Sequence, residues 1–408
     1  MFSGKALKDY ARLVLRIGVN LQKNQGLEIA YPVERKELAE ALAETAYELG
    51  ARIVRVRWDD EIIDRINFQY AEKEEIIRIP RWIVDSKEDL VKEGFCYVAV
   101  AADNPMAFKD IPADKLSAYY RAKSKALKKF SDQVMSNGIR WCVVSVPTKE
   151  WAKQVFPKSN KPEQDLLNAI AKTMRLDATD PLKAWEDHIS SLDKRAEYLN
   201  KMNFEYLQFT NSIGTNLKVG LADDHVWLSA KEKAKDGVEF VANMPTEEVF
   251  TAPHRLKIDG VVHSALPLAD NGQIIDNFTL QFKKGKIVSF SAEKGYENLK
   301  HLIETDKGTL SLGEVALIGK NSPIAKSGIL FYNTLFDENA SCHLALGKAY
   351  PTTVKNGETL SKKELLTKGL NDSVEHVDFM IGTPDLDVTG ITHDGQAIKL
   401  FADGEWVI

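Results

Sequence analysis

Residues 27–56 read LEIAYPVERKELAEALAETAYELGARIVRV. The run Leu27–Tyr31 predicts a strand, because it is short, largely apolar and ends in a turn signal. Apolar residues between 38 and 49 then recur on one helical face, and Gly50 is placed to end this helix in a left-handed conformation. The run Ile53–Val56 predicts the next strand. The stretch is therefore a strand–helix–strand unit, which is typical of a parallel α/β sheet.

Further elements of the same kind are predicted on both sides of this unit. They are a helix within residues 5–22, strands at Phe95–Ala101 and Trp141–Val146, and helices near 114–136, 163–175 and 181–202. A dinucleotide-binding sheet would carry a glycine-rich loop after its first strand, but residues 30–36 read AYPVERK there. We therefore predict an N-terminal parallel α/β domain over residues 1–203 and disfavour a nucleotide-dependent enzyme.

The second half of the chain has a different texture from Phe204 onward. Short β-type runs dominate it, at Asn216–Leu221, Val238–Val241, Phe278–Phe282, Lys286–Phe290, Val315–Ile318, Phe379–Ile381 and Ile398–Phe401. Hairpin turns are predicted at Asp259-Gly260, Asn271-Gly272, Lys284-Gly285 and Asp394-Gly395. We predict a C-terminal mixed, β-rich α+β domain over residues 204–408.

Length, composition and charge limit the class of protein. At 408 residues the chain exceeds the size of about 250–300 residues at which one core stops growing, so two domains are expected. A hydrophobic share of 44% and a charged share of 28% are those of a soluble globular protein, and a net charge of −5 argues against a nucleic-acid partner. No signal-peptide core and no long apolar stretch is present, so we predict a cytoplasmic protein without a membrane partner.

The cysteines and histidines indicate which atoms would hold a metal. Cys96, Cys142 and Cys342 are far apart and form no Cys-x-x-Cys pair, so neither a disulfide framework nor a thiolate zinc site is indicated. Seven of the eight histidines lie after residue 224, and two of them stand in segments rich in acids and small residues. Any metal must therefore be held by oxygen and nitrogen.

The first of these segments is His376-Val377-Asp378. On a strand, spacing of two residues sends both polar side chains to one face, where they can chelate a cation. The alternative is a surface histidine beside a surface aspartate.

The second segment runs from Leu335 to Tyr350, LFDENASCHLALGKAY. Asn339 can cap a helix that begins at Ala340, with Glu338 just outside its first turn and His343 within that turn. Tyr350, seven residues after His343, would return to the same helical face. An acid, an imidazole and a phenol would then converge. The alternative is a capped amphipathic helix with a buried histidine.

Two further acidic positions stand in apolar surroundings. Adjacent Glu247 and Glu248 would repel each other unless a cation took one as a ligand and left the other as a base. Glu314 interrupts what is otherwise a buried strand, and metal coordination is one way to satisfy a buried carboxylate. The alternative for Glu314 is a structural salt bridge.

Taken together, these segments resemble the thermophilic aminopeptidase family, the group of aminopeptidase T and aminopeptidase S. The matching blocks, in fixed order, are NMPTEEVFT at 243–251, GEVALI at 313–318, LFDENASCH at 335–343 and HVDFMIG at 376–382. The resemblance extends along essentially the whole chain, more weakly at its N-terminus.

The resemblance implies a site for two divalent cations, Zn²⁺ or Co²⁺ with Mn²⁺ as a further option. Glu248, Glu314 and His343 would hold one cation, and Glu314, Glu338, His376 and Asp378 the other, with Glu314 as the bridge. It also implies Tyr350 at the active site and homodimers that enclose the active sites. By similarity to other two-metal aminopeptidases, Glu247 is the expected general base, and Tyr350 is the expected donor to the developing oxyanion.

The expected function is that of a metalloaminopeptidase, which hydrolyses the N-terminal bond of peptides with a free N-terminus through a water activated by two metals. Two alternatives use the same residues. One is a metal-dependent amidohydrolase that acts on small non-peptide amides, and the other is a non-catalytic module that binds metal or peptide. Such a module would be expected to have lost a ligand, and none is missing.

Overall fold

The computed structural model describes residues 4–408. Its residues group by contact into two compact units. Among the described residues, the first comprises residues 4–191, Ala230–Thr246 and Phe331–Phe336, and the second comprises Leu192–Ser229, Glu247–Leu330 and Asp337–Ile408. The chain therefore enters each unit more than once, whereas the division expected from the sequence, at residues 203 and 204, is a single cut.

The strands, numbered in chain order, are β1 (Gly26–Pro32), β2 (Ile53–Asp59), β3 (Cys96–Val100), β4 (Trp141–Val144), β5 (Phe204–Thr210), β6 (Asn216–Leu221), β7 (Lys231–Lys233), β8 (Glu239–Val241), β9 (Val249–Thr251), β10 (Pro253–His263), β11 (Leu268–Asp270), β12 (Gln273–Lys283), β13 (Lys286–Lys294), β14 (Leu312–Leu317), β15 (His343–Gly347), β16 (His376–Met380), β17 (Asp387–Thr392), β18 (Ala397–Ala402) and β19 (Glu405–Trp406).

The α-helices are α1 (Gly4–Leu13), α2 (Lys36–Glu48), α3 (Glu61–Tyr70), α4 (Lys73–Ile76), α5 (Arg81–Lys92), α6 (Ala113–Ala126), α7 (Lys128–Met135), α8 (Lys149–Val155), α9 (Pro162–Thr173), α10 (Pro181–Met202), α11 (Tyr296–Ile303), α12 (Pro323–Ser327), α13 (Thr334–Asp337) and α14 (Lys362–Thr367). Shorter helical segments are also present. They are a π-helical segment at Val14–Gly18 and single 3₁₀ turns at Glu338–Ala340, Pro351–Thr353 and Gly357–Thr359. No helix within residues 4–408 combines the length and the apolar character that crossing a bilayer would require.

The first unit contains a four-stranded parallel sheet in the order β2-β1-β3-β4. β1 is buried along its length except at Pro32, as a strand covered on both faces should be. The helix after it, α2, ends where Gly50 takes the left-handed conformation with φ +90°. The predicted parallel α/β architecture of this part of the chain is confirmed.

The second unit is built from two antiparallel sheets. The larger follows the order β11-β12-β10-β6-β5-β17-β18-β19, with β13 also paired to β12. The smaller follows the order β16-β15-β14-β9. The predicted β-rich C-terminal region is confirmed, as are the turns at Asn271-Gly272, Lys284-Gly285 and Asp394-Gly395.

The fourth predicted turn, Asp259-Gly260, is wrong, because both residues lie inside β10. Gly260 is paired there with Leu217 of β6 and with Phe282 of β12. A Cβ atom on Gly260 would lie 2.2 Å from the backbone oxygen of Asn216. The glycine thus serves the close approach of two strands and not a reversal of the chain.

The helix predicted from Ala340 through Tyr350 is also wrong. Glu338–Ala340 forms a single 3₁₀ turn, and His343–Gly347 is the strand β15, which pairs with β14 on one side and β16 on the other. Every residue of β15 is buried, so the run has no polar helical face to present to water. Pairing on both edges overrides the helical preference of its alanine and leucines.

Candidate metal centre

Most candidate ligands lie on one face of the small antiparallel sheet. Glu314 stands on β14, His343 begins β15, and His376 and Asp378 share β16. Ala345 of β15 is directly opposite both Glu314 and Asp378, so these three side chains form one row across the sheet. Residues two apart on a strand share a face, so His343 and His376 lie on the same face of the sheet as this row, next to it.

Small residues leave room in the middle of this face. Ala345 separates the two carboxylates of the row, and Gly347 lies opposite His376. A polar cluster can therefore form above the centre of β15, a strand in which every residue is buried. The spacing of His376 and Asp378 places them as the sequence predicts, on a strand and on one face.

The remaining candidate ligands come from segments next to these strands. Glu248 directly precedes β9, and Glu338 begins the 3₁₀ turn before β15. Both side chains are buried.

Two groups of ligand atoms result, each with its atoms within 4.8 Å of one another. Glu248, Glu314 and His343 make the first group, and Glu314, His376 and Asp378 make the second. The Nε2 atom of His343 lies 3.1 Å from Oε2 of Glu248, and that of His376 lies 3.4 Å from Oδ1 of Asp378. Glu314 belongs to both groups, whereas Glu338 belongs to neither.

Hydrogen bonds orient both imidazoles toward the carboxylates. Nδ1 of His343 lies 2.9 Å from the backbone oxygen of Glu338, and Nδ1 of His376 lies 2.7 Å from that of Lys348. A carbonyl can only accept, so this network assigns the proton to Nδ1 in each ring. In the neutral ring Nε2 then carries the lone pair that faces the carboxylates, which is the usual arrangement of a metal-ligating histidine.

The electrostatics of the centre show a shortage of positive charge. Burial raises the pKa of Glu314 to about 7. Burial, together with the carboxylates of Asp378 and Glu248, raises the pKa of Glu338 well above its ordinary value. Although burial disfavours its protonated form, the adjacent carboxylates of Glu248 and Glu314 raise the pKa of His343 well above its ordinary value. Without cations, the carboxylates are neutralised by protons and imidazolium groups.

A divalent metal fits this set of residues. Oε2 of Glu248 and Oδ1 of Asp378 are buried and accept no hydrogen bond of normal geometry, although the imidazoles are near. Glu248, Glu314, Glu338 and Asp378 can carry four negative charges, which two divalent cations would balance. Mixed imidazole and carboxylate ligands suit Zn²⁺, Co²⁺ and Mn²⁺.

Of the two residues expected to be catalytic, Tyr350 contacts a candidate ligand, and Glu247 adjoins one in the sequence. Glu247 is buried next to Glu248, and its backbone N–H donates a hydrogen bond to Oδ1 of Asn339 at 2.7 Å. The ring of Tyr350 contacts that of His376 edge-on, with 5.1 Å between centroids, and packs against Phe250 at 6.0 Å. Tyr350 therefore borders the ligands although no helix carries it there.

The role of Asn339 differs from the helix cap that its sequence suggests. It is fully buried, and besides the bond from Glu247 its Nδ2 donates to Oε1 of Glu338 at 3.3 Å. The available signal is an amide directly after an acid, in a segment whose neighbours are mostly apolar. The hydrogen-bond partner, Glu247, lies 92 positions away and cannot be predicted from the segment itself.

Known proteins resemble this chain along essentially its whole length. Residues 3–406 match the sequence model of the thermophilic metalloprotease (M29) family. The chain is 43% identical to aminopeptidase 2 of Geobacillus stearothermophilus over 98% of each chain, and 41% identical to aminopeptidase AmpS of Bacillus subtilis over 99% of each. The solved structure of wild-type AmpT from Thermus thermophilus superposes with a TM-score of 0.90, at 35% identity and 99% coverage of both chains. The chain therefore belongs to the thermophilic metalloprotease (M29) family.

Proposed function

We propose that the chain is a metalloaminopeptidase that removes N-terminal residues from peptides and works with two divalent cations. The observation that carries the proposal is the pair of ligand groups that share the buried Glu314. Full-length relatives that are named aminopeptidases support the choice of reaction.

The proposed ligands of one cation are Glu248, Glu314 and His343, and those of the other are Glu314, Glu338, His376 and Asp378. The cations are Zn²⁺, Co²⁺ or Mn²⁺, for which mixed oxygen and nitrogen sites are suited. When bound, they supply Lewis-acid polarisation of the scissile carbonyl and lower the pKa of a water molecule. Glu338 is the one proposed ligand outside the two groups of close atoms, and its Oε1 accepts a hydrogen bond from Asn339, which leaves its second carboxylate oxygen for a cation.

The chain's own residues then move the protons and stabilise the charge. Glu247, adjacent to a ligand but outside both ligand groups, takes a proton from the attacking water and returns it to the leaving amine. The hydroxyl of Tyr350 donates a hydrogen bond to the oxyanion as it forms. Phe250, buried against Tyr350, shields this side of the centre from bulk water.

One experiment tests metal, reaction and end-specificity together. Metal analysis of the purified protein is combined with hydrolysis of aminoacyl amides, their N-acetylated counterparts and small non-peptide amides. We expect metal-dependent cleavage of the free aminoacyl amides only. His343→Ala should abolish it, whereas the control His393→Ala, at an exposed histidine, should not.

Each rival function has its own outcome. Cleavage of N-acetylated and non-peptide amides at similar rates would indicate the amidohydrolase. Metal binding without hydrolysis of any of these compounds would indicate the non-catalytic module.

We also propose that the protein is a homodimer. The first unit exposes an apolar stripe on α3, in which Ile62, Ile66 and Tyr70 recur every four residues and are 62%, 45% and 75% exposed. Exposed apolar patches of this kind mark contact surfaces. Light scattering should give a particle mass twice that of the chain. Ile66→Glu should reduce this particle mass, whereas substitution of the exposed Lys92 should leave it unchanged.

Two further assignments complete the proposal. Residues 1–203 and 204–408 are proposed as the two domains, because all eight candidate site residues lie in the second range. A cytoplasmic location is proposed because all three cysteines are free, as in a reducing compartment. Limited proteolysis and cell fractionation test these two assignments.

A further inference from the structure

Asn339 links two acidic segments that are far apart in the sequence. Its Oδ1 accepts the backbone N–H of Glu247 at 2.7 Å, and its Nδ2 donates to Oε1 of Glu338 at 3.3 Å. The side chain is fully buried, so water does not compete for either bond. One amide thus connects the segment that carries Glu248 to the carboxylate of Glu338.

The turn that carries Asn339 also orients an imidazole. The backbone oxygen of Glu338 accepts the hydrogen bond from Nδ1 of His343 at 2.9 Å. Ser322 in turn donates its hydroxyl to the backbone oxygen of Asn339 at 3.2 Å, which holds the turn in place. The 3₁₀ turn Glu338–Ala340 therefore helps to position Glu248, Glu338 and His343.

The amide is suited to this place by its chemistry. It offers a donor and an acceptor on one short side chain, which neither an aspartate nor a leucine can do. Aspartate would still accept the N–H of Glu247, but it would turn a second carboxylate oxygen toward Glu338. Leucine would fill the volume and make neither bond.

We propose that Asn339 is a positioning residue that fixes the separation of Glu248 and Glu338, one proposed ligand of each cation. This inference rests on the proposed function, since it concerns ligands of the same cations. Asn339 does not touch a substrate. It acts by presenting ligands in a geometry that is ready for metal, so its loss should be seen first in metal affinity.

The test is a Co²⁺ titration of metal-free protein, followed by visible absorption, for wild type, Asn339→Asp and Asn339→Ala. The matched control is Asn371→Ala. Asn371 is a buried amide of the same unit that donates to the backbone oxygens of Gly308 and Gly347 at 2.8 and 2.6 Å. Circular dichroism of the metal-free proteins establishes that each variant is folded, and Asn339→Asp is the variant closest in shape to the native side chain.

We expect both Asn339 variants to bind Co²⁺ about 10–100-fold more weakly, the usual effect of removing a group that orients a metal ligand, and to show an altered Co²⁺ spectrum. The control should lower the midpoint of thermal unfolding and leave the affinity and the spectrum unchanged. Folded Asn339 variants with wild-type affinity would overturn the inference and leave the proposed function intact. A wild-type protein that binds no Co²⁺, Zn²⁺ or Mn²⁺ would overturn both.

Discussion

The Oε1 atom of Glu314 lies 3.4 Å from Nε2 of His343, at the centre of the candidate metal site. The other carboxylate oxygen, Oε2, lies 3.9 Å from Nε2 of His376. The two oxygens of one side chain thus face the imidazoles of two different ligand groups. A carboxylate in this position can bridge two cations.

The bridging role predicts unequal effects of two substitutions. Glu314→Gln should lower the occupancy of both cations, because both groups lose the negative charge that they share and only one oxygen remains to bind a cation, whereas His376→Ala should empty mainly one. Metal content per chain, measured by mass spectrometry after dialysis, is the readout. Two tightly bound ions in the Glu314 variant would show that the bridge is assigned wrongly.

Removal of metal should destabilise the fold as well as abolish hydrolysis. If the proposed cations bind only the folded chain and neutralise its buried carboxylates, a concentration 100 times the dissociation constant adds about 2.7 kcal/mol to the free energy of unfolding. Thermal unfolding with and without a chelator measures the effect, and added Zn²⁺ or Co²⁺ should reverse it. Equal unfolding midpoints in both conditions would argue against metal held by this cluster.

His225 should make the stability of the protein depend on pH outside the metal centre. The ring is buried, its Nδ1 lies 3.1 Å from the backbone oxygen of Ala222, and its Nε2 has no hydrogen-bond partner. Burial lowers the pKa of His225 to about 4, with the Ala222 bond opposing the change. In the unfolded chain the pKa is about 6.5.

The sign follows from proton counting. Between pH 6.5 and 4 the unfolded chain binds a proton at His225 that the folded chain does not, so the free energy of unfolding falls as the pH falls through this window. The full loss is on the order of 3 kcal/mol. His225→Asn keeps a donor for Ala222 and removes the titration, so urea unfolding of this variant should depend less on pH than that of the wild type. Parallel pH profiles of the two proteins would contradict the assignment.

A buried ion pair in the first unit gives a prediction about stability alone. Nζ of Lys87 lies 2.7 Å from Oε1 of Glu28, with both side chains nearly inaccessible, and 4.2 Å from the ring centroid of Tyr97. Lys87→Met would leave a buried carboxylate unpaired, which should cost about 3–5 kcal/mol. The double variant with Glu28→Leu should recover much of this loss, because the lone charge is gone. Urea unfolding of the single and double variants measures both effects.

Elements that depend on nearby residues could be predicted from the sequence, whereas elements that depend on pairing with distant strands could not. The strand–helix–strand unit around α2 was predictable, because the apolar spacing and Gly50 act within a few residues of each other. The strand β15 was not, because the alanine and leucines of His343–Gly347 suit a helix until β14 and β16 pair with both of its edges. Local patterns lack that information.

The same limit applies to the candidate site. Residue types and short spacings indicated the polar side chains, since His376 and Asp378 are only two residues apart. The row that aligns Glu314 with Asp378 through Ala345 depends on strand register, which no segment contains by itself. The bond from Glu247 to Asn339 is likewise a product of the assembled fold.

Tyr350 provides the most direct test of the proposed chemistry. Its ring packs between His376 and Phe250, with centroids at 5.1 and 6.0 Å, so the side chain is placed at the edge of the ligands without belonging to either group. If its hydroxyl donates to the oxyanion only as that charge forms, Tyr350→Phe removes an interaction that is specific to the transition state. We therefore expect kcat to fall by about 10²–10³-fold, with metal content and KM little changed.

The control for this substitution is Tyr206→Phe, at a tyrosine of the same unit whose ring lies 3.6 Å from Nζ of Lys218. Losing the hydroxyl there should leave kcat unchanged. A second reading is that Tyr350 serves packing alone, in which case its phenylalanine variant would keep both its ring contacts and its turnover. Steady-state kinetics on metal-replete protein separate the two roles. A kcat within about threefold of wild type is far from the loss expected of an oxyanion donor, and it would remove Tyr350 from the mechanism.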